Sequence, residues 1–321
     1  NILAFTDVLC ETAMRGVVLV TKGPWHWRDA SFCGSDLTPG LRRTFNLADM
    51  YPGGQTATEC YFGRETHCAV PSGELDETYL YDNGLSVYQA LFDRPARHRM
   101  SNHKTRLHAK RDDLFTRHGG GPYPDACKSI AKRHAAGLEL LFQTLPPAML
   151  EAIERWNARI FGEHGAPANM VTVHLRWSDK VKEAGRIGIA PFIDAIHSLI
   201  HKHNLHPHLT VFVMTEDPAA LDAFRKAAPP NWTVKFHNAA VYHGDTFMQS
   251  SFTAGAGANT GGALGLHSLV ALVLGLEARF FVLTATSNWS RMFDQIRAFK
   301  HDFPGCTPLK AGNCSETINI K

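Results

Sequence analysis

Polar and charged side chains follow apolar, strand-like runs at three places in this sequence: Val171–Lys180, Leu209–Pro218 and Ala278–Arg291. In an open α/β sheet the carboxyl ends of the strands share one edge, and ligands bind outside that edge. The three runs therefore predict a single ligand site at one edge of a sheet. Its side chains would be cations, carboxylates and hydroxyls: His174, Arg176, Ser178, Asp179, Lys180, Thr215, Glu216, Asp217, Ser287 and Asn288.

The first and third runs could bind a phosphate group. Arg176 follows its strand directly, where a guanidinium can make paired hydrogen bonds to a phosphate. The alternative is a structural ion pair between Arg176 and Asp179. Ser287 and Asn288 lie where the backbone N–H groups of a helix start can receive a phosphate.

The second run supplies two carboxylates. Glu216 and Asp217 could hold a ribose, position an acceptor hydroxyl or act as a general base. Asp and Thr are also favoured at helix starts, so Thr215–Pro218 is expected to cap the following helix. Capping by one residue leaves the other roles open.

Three further patterns resemble functional sites but are better explained as ordinary structural or surface features. Gly255–Gly261 resembles a dinucleotide-binding loop, but the polar residues Gln249–Thr253 before it do not form the apolar strand that such a loop follows. Five histidines between His197 and His208 lack an HExxH-type carboxylate and suit a solvated helix end rather than a metal site. The basic stretch 94–117 is a solvated face or, alternatively, a lid over an anionic nucleotide.

Strand-like and helix-like runs alternate through the second half of the chain, which implies a parallel, doubly wound α/β sheet. Upstream, residues 1–14 look helical, a strand is predicted at Val17–Val20, and residues 22–75 read as irregular. The remaining predicted elements are helices at Asp125–Phe142, Pro147–Ile160, Pro191–His203, Pro218–Ala228 and Ala263–Leu274, a linker at Gly162–Ala168, and strands beginning at Val171 and at Leu209–Met214, Thr233–His237 and Phe280–Leu283.

Composition indicates a folded protein. The chain has 321 residues, of which 44% are hydrophobic and 20% charged, and its formal net charge of +3 does not indicate a nucleic-acid partner. No apolar run has the length that a bilayer crossing needs. The sequence begins at Asn1 rather than Met, which leaves room for a membrane anchor or signal segment before it.

Cysteine usage favours the secretory pathway, with the protein in a lumenal or extracellular compartment. Zinc ligands would favour C-x-x-C spacing, which is absent, so the short spacings suit local disulfides. Three N-x-S/T sequons also fit a glycoprotein. The predicted pairs are Cys60 with Cys68, Cys306 with Cys314 and Cys10 with Cys33, leaving Cys127 unpaired, and the sequons begin at Asn231, Asn288 and Asn313.

The motifs together resemble glycosyltransferase family 23, the α-1,6-fucosyltransferases of N-glycan cores and rhizobial Nod factors. His174–Lys180 (HLRWSDK) is similar to the family's H-V-R-R-T-D-K, Thr215–Pro218 (TEDP) to T-D-D-P, and Thr284–Arg291 (TATSNWSR) to T-F-S-S-Q-V-C-R. In the N-terminal half, Trp27–Ala30 (WRDA) is similar to the family's W-R-Y-A. The resemblance covers most of the chain and is weakest over residues 35–125.

The resemblance implies an α/β fold of the GT-B type, with two Rossmann-like domains facing across a cleft. These would be an acceptor-side domain at residues 1–162 and a domain that binds the nucleotide sugar at residues 163–321. It also implies an inverting transfer without a metal or other cofactor, from GDP-fucose to a glycan or glycoprotein. By carry-over, Glu183 would be the general base, with Lys180 and Asp179 beside it, and the donor site would comprise His174, Arg176, Trp177, Glu216, Asp217, Thr286, Ser287 and Asn288.

Two departures from the family pattern affect the donor. Trp177 stands at the family's second arginine, which removes a phosphate-facing charge or adds a stacking surface. Ala271 stands where the family reads guanine with an aspartate, so Glu277 or Asp245 reads the base or the donor is a different nucleotide sugar. A non-catalytic glycan-binding protein on the same fold is the alternative from another functional class.

Overall fold

The computed structural model describes residues 6, 21–22, 29–33, 60–62, 81–82, 130–143, 145–177, 185–241, 260–297 and 316–321. The chain divides into two compact units, one formed by residues 1–25 and 36–144 and the other by residues 26–35 and 145–321. The domain boundary between residues 162 and 163 stays a prediction. Features predicted from sequence that lie outside the described residues are the strand Val17–Val20, the basic stretch 94–117, Ser178, Asp179, Lys180, Glu183, Asp245, most of the loop Gly255–Gly261, Cys10, Cys68, Cys127, Cys306, Asn313 and Cys314.

Seven helices and seven strands are numbered here in chain order, counting only elements within the described residues. They are β1 (Thr21–Lys22), α1 (Ala30–Cys33), β2 (Tyr81–Asp82), α2 (Ile130–Gln143), α3 (Pro147–Phe161), β3 (Met170–His174), α4 (Ala190–His203), β4 (Thr210–Met214), α5 (Pro218–Ala227), β5 (Thr233–Phe236), α6 (Ala263–Gly275), β6 (Phe280–Thr284), α7 (Asn288–Arg297) and β7 (Glu316–Ile320), with a 3-10 turn at Asn238–Ala240.

The first unit is described in a few segments. Strands β1 and β2 pair in parallel. Tyr61 and Phe62 are buried, as are Leu138 and Leu141 of α2. The ring of Phe62 meets Phe142 edge to face at a centroid distance of 5.3 Å, so these aromatic residues form part of this unit's core.

The second unit is built on a five-stranded sheet in the order β5-β4-β3-β6-β7. Every neighbouring pair is parallel, which confirms the predicted parallel α/β sheet. Strand β3 is buried along its whole length, as expected for a strand covered on both faces. The chain runs outward from β3 to β5 and then returns to β6 on the other side of β3, so the winding direction reverses between β3 and β6.

Helices cover both faces of this sheet. On one face, apolar residues of α4 and α5, such as Phe192 and Phe224, pack with Val171 of β3. On the other face, α6 approaches closely enough for Thr172 Oγ1 to donate to the carbonyl of Gly275 at 2.7 Å. A β-carbon at Gly275 would lie 2.7 Å from the sulfur of Met214, which explains why a glycine stands there.

The predicted helices and strands of this half are confirmed to within a few residues at each end. Strand β7 was not predicted. Within the described ranges, no helix combines the length and the apolar character that a bilayer crossing requires. Cys33 and Cys60 are disulfide-bonded, and the cysteines predicted to pair with them lie outside the described residues.

Candidate functional site

The candidate site lies where the order of the strands reverses, at the carboxyl ends of β3 and β6. Open α/β sheets bind ligands at such a switch point, because the connections leave it in opposite directions. Thr284, the last residue of β6, is buried and joins the two strand ends. Its Oγ1 donates to the carbonyl of His174 at 2.8 Å and accepts from the backbone N–H of Arg176 at 3.3 Å. The start of the HLRWSDK segment is thereby fixed to β6.

The side chain of His174 is directed toward helix α7. Its ring is 3% exposed, and Nδ1 lies 2.8 Å from Oγ of Ser290, which is 1% exposed. Burial, and then the charge of Arg176, lower the pKa of His174 to about 3, so the ring is neutral at physiological pH. In this arrangement His174 holds the first turn of α7 in place, and its predicted contact with a nucleotide base stays a prediction.

Replacing Ser290 with alanine should destabilise the second unit by about 1 to 3 kcal/mol, because it removes the hydrogen-bond partner of a buried ring nitrogen. The free energy of unfolding from urea denaturation at pH 7 measures this loss. A matched control is Ser198→Ala, since Ser198 is exposed and its hydroxyl donates only to the carbonyl of Asp194 within α4. Equal, small losses in the two variants would contradict the proposed importance of the His174–Ser290 contact.

Arg176 forms an ion pair with Glu216, which follows the neighbouring strand β4. The two side chains are only 12% and 16% exposed, so the pair is largely removed from water. An arginine held at a sheet switch point can bind a phosphate, and Glu216 currently balances its charge. The alternative pairing predicted for Arg176, with Asp179, lies outside the described residues.

The second carboxylate of the TEDP motif has a different position. Asp217 is the N-cap of α5, where its Oδ1 accepts from the N–H groups of Ala219 and Ala220 at 2.8 and 3.3 Å. Thr215 supports the same turn by accepting from the N–H of Asp217 at 3.1 Å. The prediction that this motif caps the next helix is confirmed, and Glu216 is the carboxylate that faces Arg176.

The third motif begins helix α7. Ser287 is 3% exposed, and its Oγ accepts from the N–H of Trp289 at 3.2 Å, which makes it a cap of this helix. Its neighbours Thr286 and Asn288 are exposed, and the side-chain oxygen of Asn288 accepts from Arg291 at 3.0 Å. The backbone N–H of Ser287 donates to the carbonyl of Thr284, so the helix start is connected through one residue to the backbone of Arg176.

Three residues bear on the recognition of a nucleotide base: Ala271, at the position where the family has its aspartate, and the two alternatives Glu277 and Asp245. Ala271 is 3% exposed in the middle of α6, where its methyl group packs in the core. Glu277 follows the C-terminal end of α6, whereas Asp245 lies outside the described residues. Among the described residues there is also no group of three or more His, Cys, Asp or Glu side chains suited to a metal ion.

No protein family and no curated protein sequence matches this chain. Solved structures do resemble it. A NodZ α-1,6-fucosyltransferase soaked with GDP-fucose is 14% identical with a TM-score of 0.39, the match covering 64% of each chain. The fucosyltransferase NodZ from Bradyrhizobium is 13% identical with a TM-score of 0.44, over 91% of this chain and 87% of that one. POFUT1 in its apo form is 12% identical with a TM-score of 0.34, over 59% of this chain and 50% of that one.

At these identities and TM-scores, the similarities carry no argument about the chemistry of this chain. That chemistry has to be inferred from its own residues. Of the predicted site residues, the structure pairs Arg176 with Glu216 and places His174 against Ser290 of α7. It places Asp217 and Ser287 in helix caps, and Trp177 in a contact that the sequence did not indicate.

Trp177 contacts two residues further along the chain, Arg186 and Ile187. Its Nε1 donates to the carbonyl of Ile187 at 2.7 Å, and the guanidinium carbon of Arg186 lies 3.7 Å from the centroid of its ring. The contacts hold together the residues on either side of the segment 178–184, in which the predicted catalytic residues lie. Arg186 was not singled out from the sequence, because a single arginine after a glycine has no distinguishing pattern.

A second cluster that the sequence did not reveal surrounds His237, just after β5. Its ring is 2% exposed and contacts Trp156 at a centroid distance of 4.0 Å and, edge to face, His267 at 5.0 Å. Among the described residues, neither the ring nitrogens of His237 nor Nδ1 of His267 have a hydrogen-bond partner. Burial, then His267 and Arg159, lower the pKa of His237 to about 3, so this cluster contains a buried neutral histidine.

Proposed function

We propose that this chain is a glycosyltransferase that transfers a sugar from a nucleoside-diphosphate donor, GDP-fucose, to a hydroxyl group of a glycan or glycoprotein. The single observation that carries the proposal is the position of Arg176 at the switch point of the parallel sheet. Through Thr284 its backbone connects to the start of α7, so the residue that carries the guanidinium is linked to the positive end of a helix dipole. Both features suit a diphosphate.

The proposed chemistry is an inverting displacement. The acceptor oxygen attacks the anomeric carbon of the donor sugar while the bond from that carbon to the β-phosphate oxygen breaks, and the electron pair leaves with GDP. Arg176 and the N–H groups at the start of α7 would stabilise the charge on the leaving diphosphate, without a metal ion. Glu183 would accept the proton of the attacking hydroxyl, with Lys180 and Asp179 beside it.

The first test is calorimetric titration of the whole chain with GDP, UDP and CMP in the presence of EDTA. We expect GDP to bind with micromolar affinity and the other two to bind more weakly. A preference for UDP or CMP would keep a nucleotide-sugar transferase but change the donor. Absence of binding by all three nucleotides would contradict the proposal and favour a non-catalytic glycan-binding protein.

Replacing Glu183 with glutamine then tests the mechanism. The variant should bind GDP as the wild type does but lose sugar transfer from GDP-fucose by at least about 100-fold, because general-base catalysis contributes that much or more. Transfer to a glycan mixture, followed by mass spectrometry, measures the loss. Glu154→Gln is a matched control, because Glu154 is an exposed residue of α3. Unchanged transfer in Glu183→Gln would remove this residue from the mechanism.

A different nucleotide sugar is the second candidate, and the position of Ala271 favours it. That residue is packed inside α6 and offers no polar group to a base. The order of nucleotide affinities in the titration above distinguishes the two donors.

We also propose that the protein works in the Golgi lumen or elsewhere in the secretory pathway. The disulfide-bonded state of Cys33 and Cys60 supports this location, because disulfides persist in oxidising compartments. Peptide mapping of the secreted protein under non-reducing conditions tests both the bonds and their predicted partners.

A further inference from the structure

Trp177 provides a fixed aromatic surface at the carboxyl end of β3. It follows Arg176 directly in the chain and is only 8% exposed. Its indole packs in the same apolar cluster as Val173 and Leu175, and the hydrogen bond from Nε1 to Ile187 fixes the direction of the ring. The indole is therefore held in one orientation at the edge where the candidate site lies.

The Trp177 ring contacts a second guanidinium, that of Arg186. The side chain of Arg186 is exposed, and its Cζ lies 3.7 Å from the ring centroid, well within the range of a cation–π contact. Arg176 is paired with Glu216, whereas no carboxylate of the described residues pairs with Arg186. Among the described residues, Arg176 thus has a carboxylate partner and Arg186 has none.

We propose that Arg186 is the second cation that binds the diphosphate of the donor, with Trp177 as the platform that orients it. This inference rests on the proposed function. A nucleoside diphosphate carries more than one negative charge, and Arg176 shares its own charge with Glu216. A guanidinium that is already stacked loses less conformational entropy when it makes paired hydrogen bonds to a phosphate.

The contact between Trp177 and Arg186 also explains how a diphosphate site could have a tryptophan, rather than a second arginine, next to Arg176. The indole contributes no charge itself, but it contacts the guanidinium of Arg186, nine positions further along the chain. Trp177 is in this sense a positioning residue, and Arg186 is the group that would touch the donor.

The test compares GDP affinity of the whole chain after Arg186→Ala and after Arg225→Ala. Arg225 is a matched control, because it is exposed, lies over the ring of Phe236 at 5.8 Å and belongs to the last turn of α5. Phe236 belongs to β5, and β4 lies between β5 and β3 in the sheet, so Arg225 is separated from the end of β3. Both variants remove one positive charge, and a non-specific charge effect would be equal in both.

We expect Arg186→Ala to weaken GDP binding about ten-fold, as for the loss of one charge-assisted contact, and Arg225→Ala to leave it unchanged. Arg186→Lys should recover part of the affinity, because lysine keeps the charge but not the planar stack. Wild-type affinity in Arg186→Ala, or an equal loss in Arg225→Ala, would overturn the role of Arg186 while leaving the proposed function intact. If the wild type binds none of the three nucleotides, the proposed function fails and this inference fails with it.

A double-mutant cycle tests the role of the platform. Trp177→Leu should weaken GDP binding, and the double variant Trp177→Leu/Arg186→Ala should bind no more weakly than Arg186→Ala alone, because both changes remove the same contact. Additive losses would overturn the role assigned to Trp177. If Trp177→Leu does not fold, the comparison of Arg186→Ala with Arg225→Ala still decides the proposal.

Discussion

Replacing Arg176 with methionine should weaken GDP binding by at least about 100-fold and also lower the free energy of unfolding by about 3 kcal/mol. The first effect arises because the guanidinium is the cation at the switch point that a diphosphate would meet. The second arises because Glu216, which is 16% exposed, would keep a carboxylate without its partner in a largely dry environment. Calorimetric titration with GDP and urea denaturation measure the two effects separately.

A double variant separates the structural role of Arg176 from its binding role. In Arg176→Met/Glu216→Gln no charge is left unbalanced, so we expect most of the lost stability to return. Binding of GDP should not return, because the guanidinium is still missing. Glu216→Gln alone should retain binding, since Arg176 keeps its charge.

If the double variant recovers both stability and GDP affinity, Arg176 has only a structural role and the site has been misplaced. A loss of GDP affinity that Arg225→Met reproduces would instead reflect the net charge of the protein. The expected pattern, recovered stability without recovered binding, is specific to an arginine that binds the nucleotide.

Much of the second unit could be predicted because its elements have strong local patterns. Apolar runs such as Val171–Val173 are typical of buried parallel strands, and Pro218 after Asp217 is typical of a helix start. By contrast, β7 is a short strand of mixed composition, and its place beside β6 depends on the rest of the sheet. Edge strands of this kind take their structure from tertiary contacts.

The site could be predicted as a set of residues but not as a set of contacts. Alternation along β3 places His174 and its neighbours on opposite sides of the chain, yet nothing local shows that His174 meets Ser290, 116 positions away. The pairing of Arg176 with Glu216 likewise depends on the register of β3 and β4. Such contacts follow from sheet topology, which short-range patterns do not specify.

The cluster around His237 was missed for a different reason. A buried histidine without hydrogen bonds opposes ordinary burial preferences, so no sequence rule places it in a core.

The burial of His237 makes the stability of the protein depend on pH. The native state keeps His237 neutral down to about pH 3, whereas the unfolded chain takes up a proton below its ordinary pKa of about 6.5. Stability is therefore fully present above pH 6.5 and is lost progressively as the pH falls toward 3.

Replacing His237 with phenylalanine should remove this dependence while keeping an aromatic ring against Trp156. One histidine contributes up to about 1.4 kcal/mol per pH unit between pH 6.5 and 3. The variant should therefore gain about 2 kcal/mol relative to the wild type when the pH is lowered from 7 to 5. Urea denaturation at the two pH values measures the gain, with His201→Gln, an exposed residue of α4, as the control.

Part of the acid sensitivity should remain in His237→Phe, because burial also depresses the pKa of His174 and that residue is unchanged. The decisive quantity is therefore the difference between the unfolding free energies of the variant and the wild type, and not the pH dependence of either protein alone. If the two stability profiles run parallel from pH 7 to pH 5, then His237 is not a buried neutral ring. The cluster with Trp156 and His267 would in that case have to open in solution and admit water.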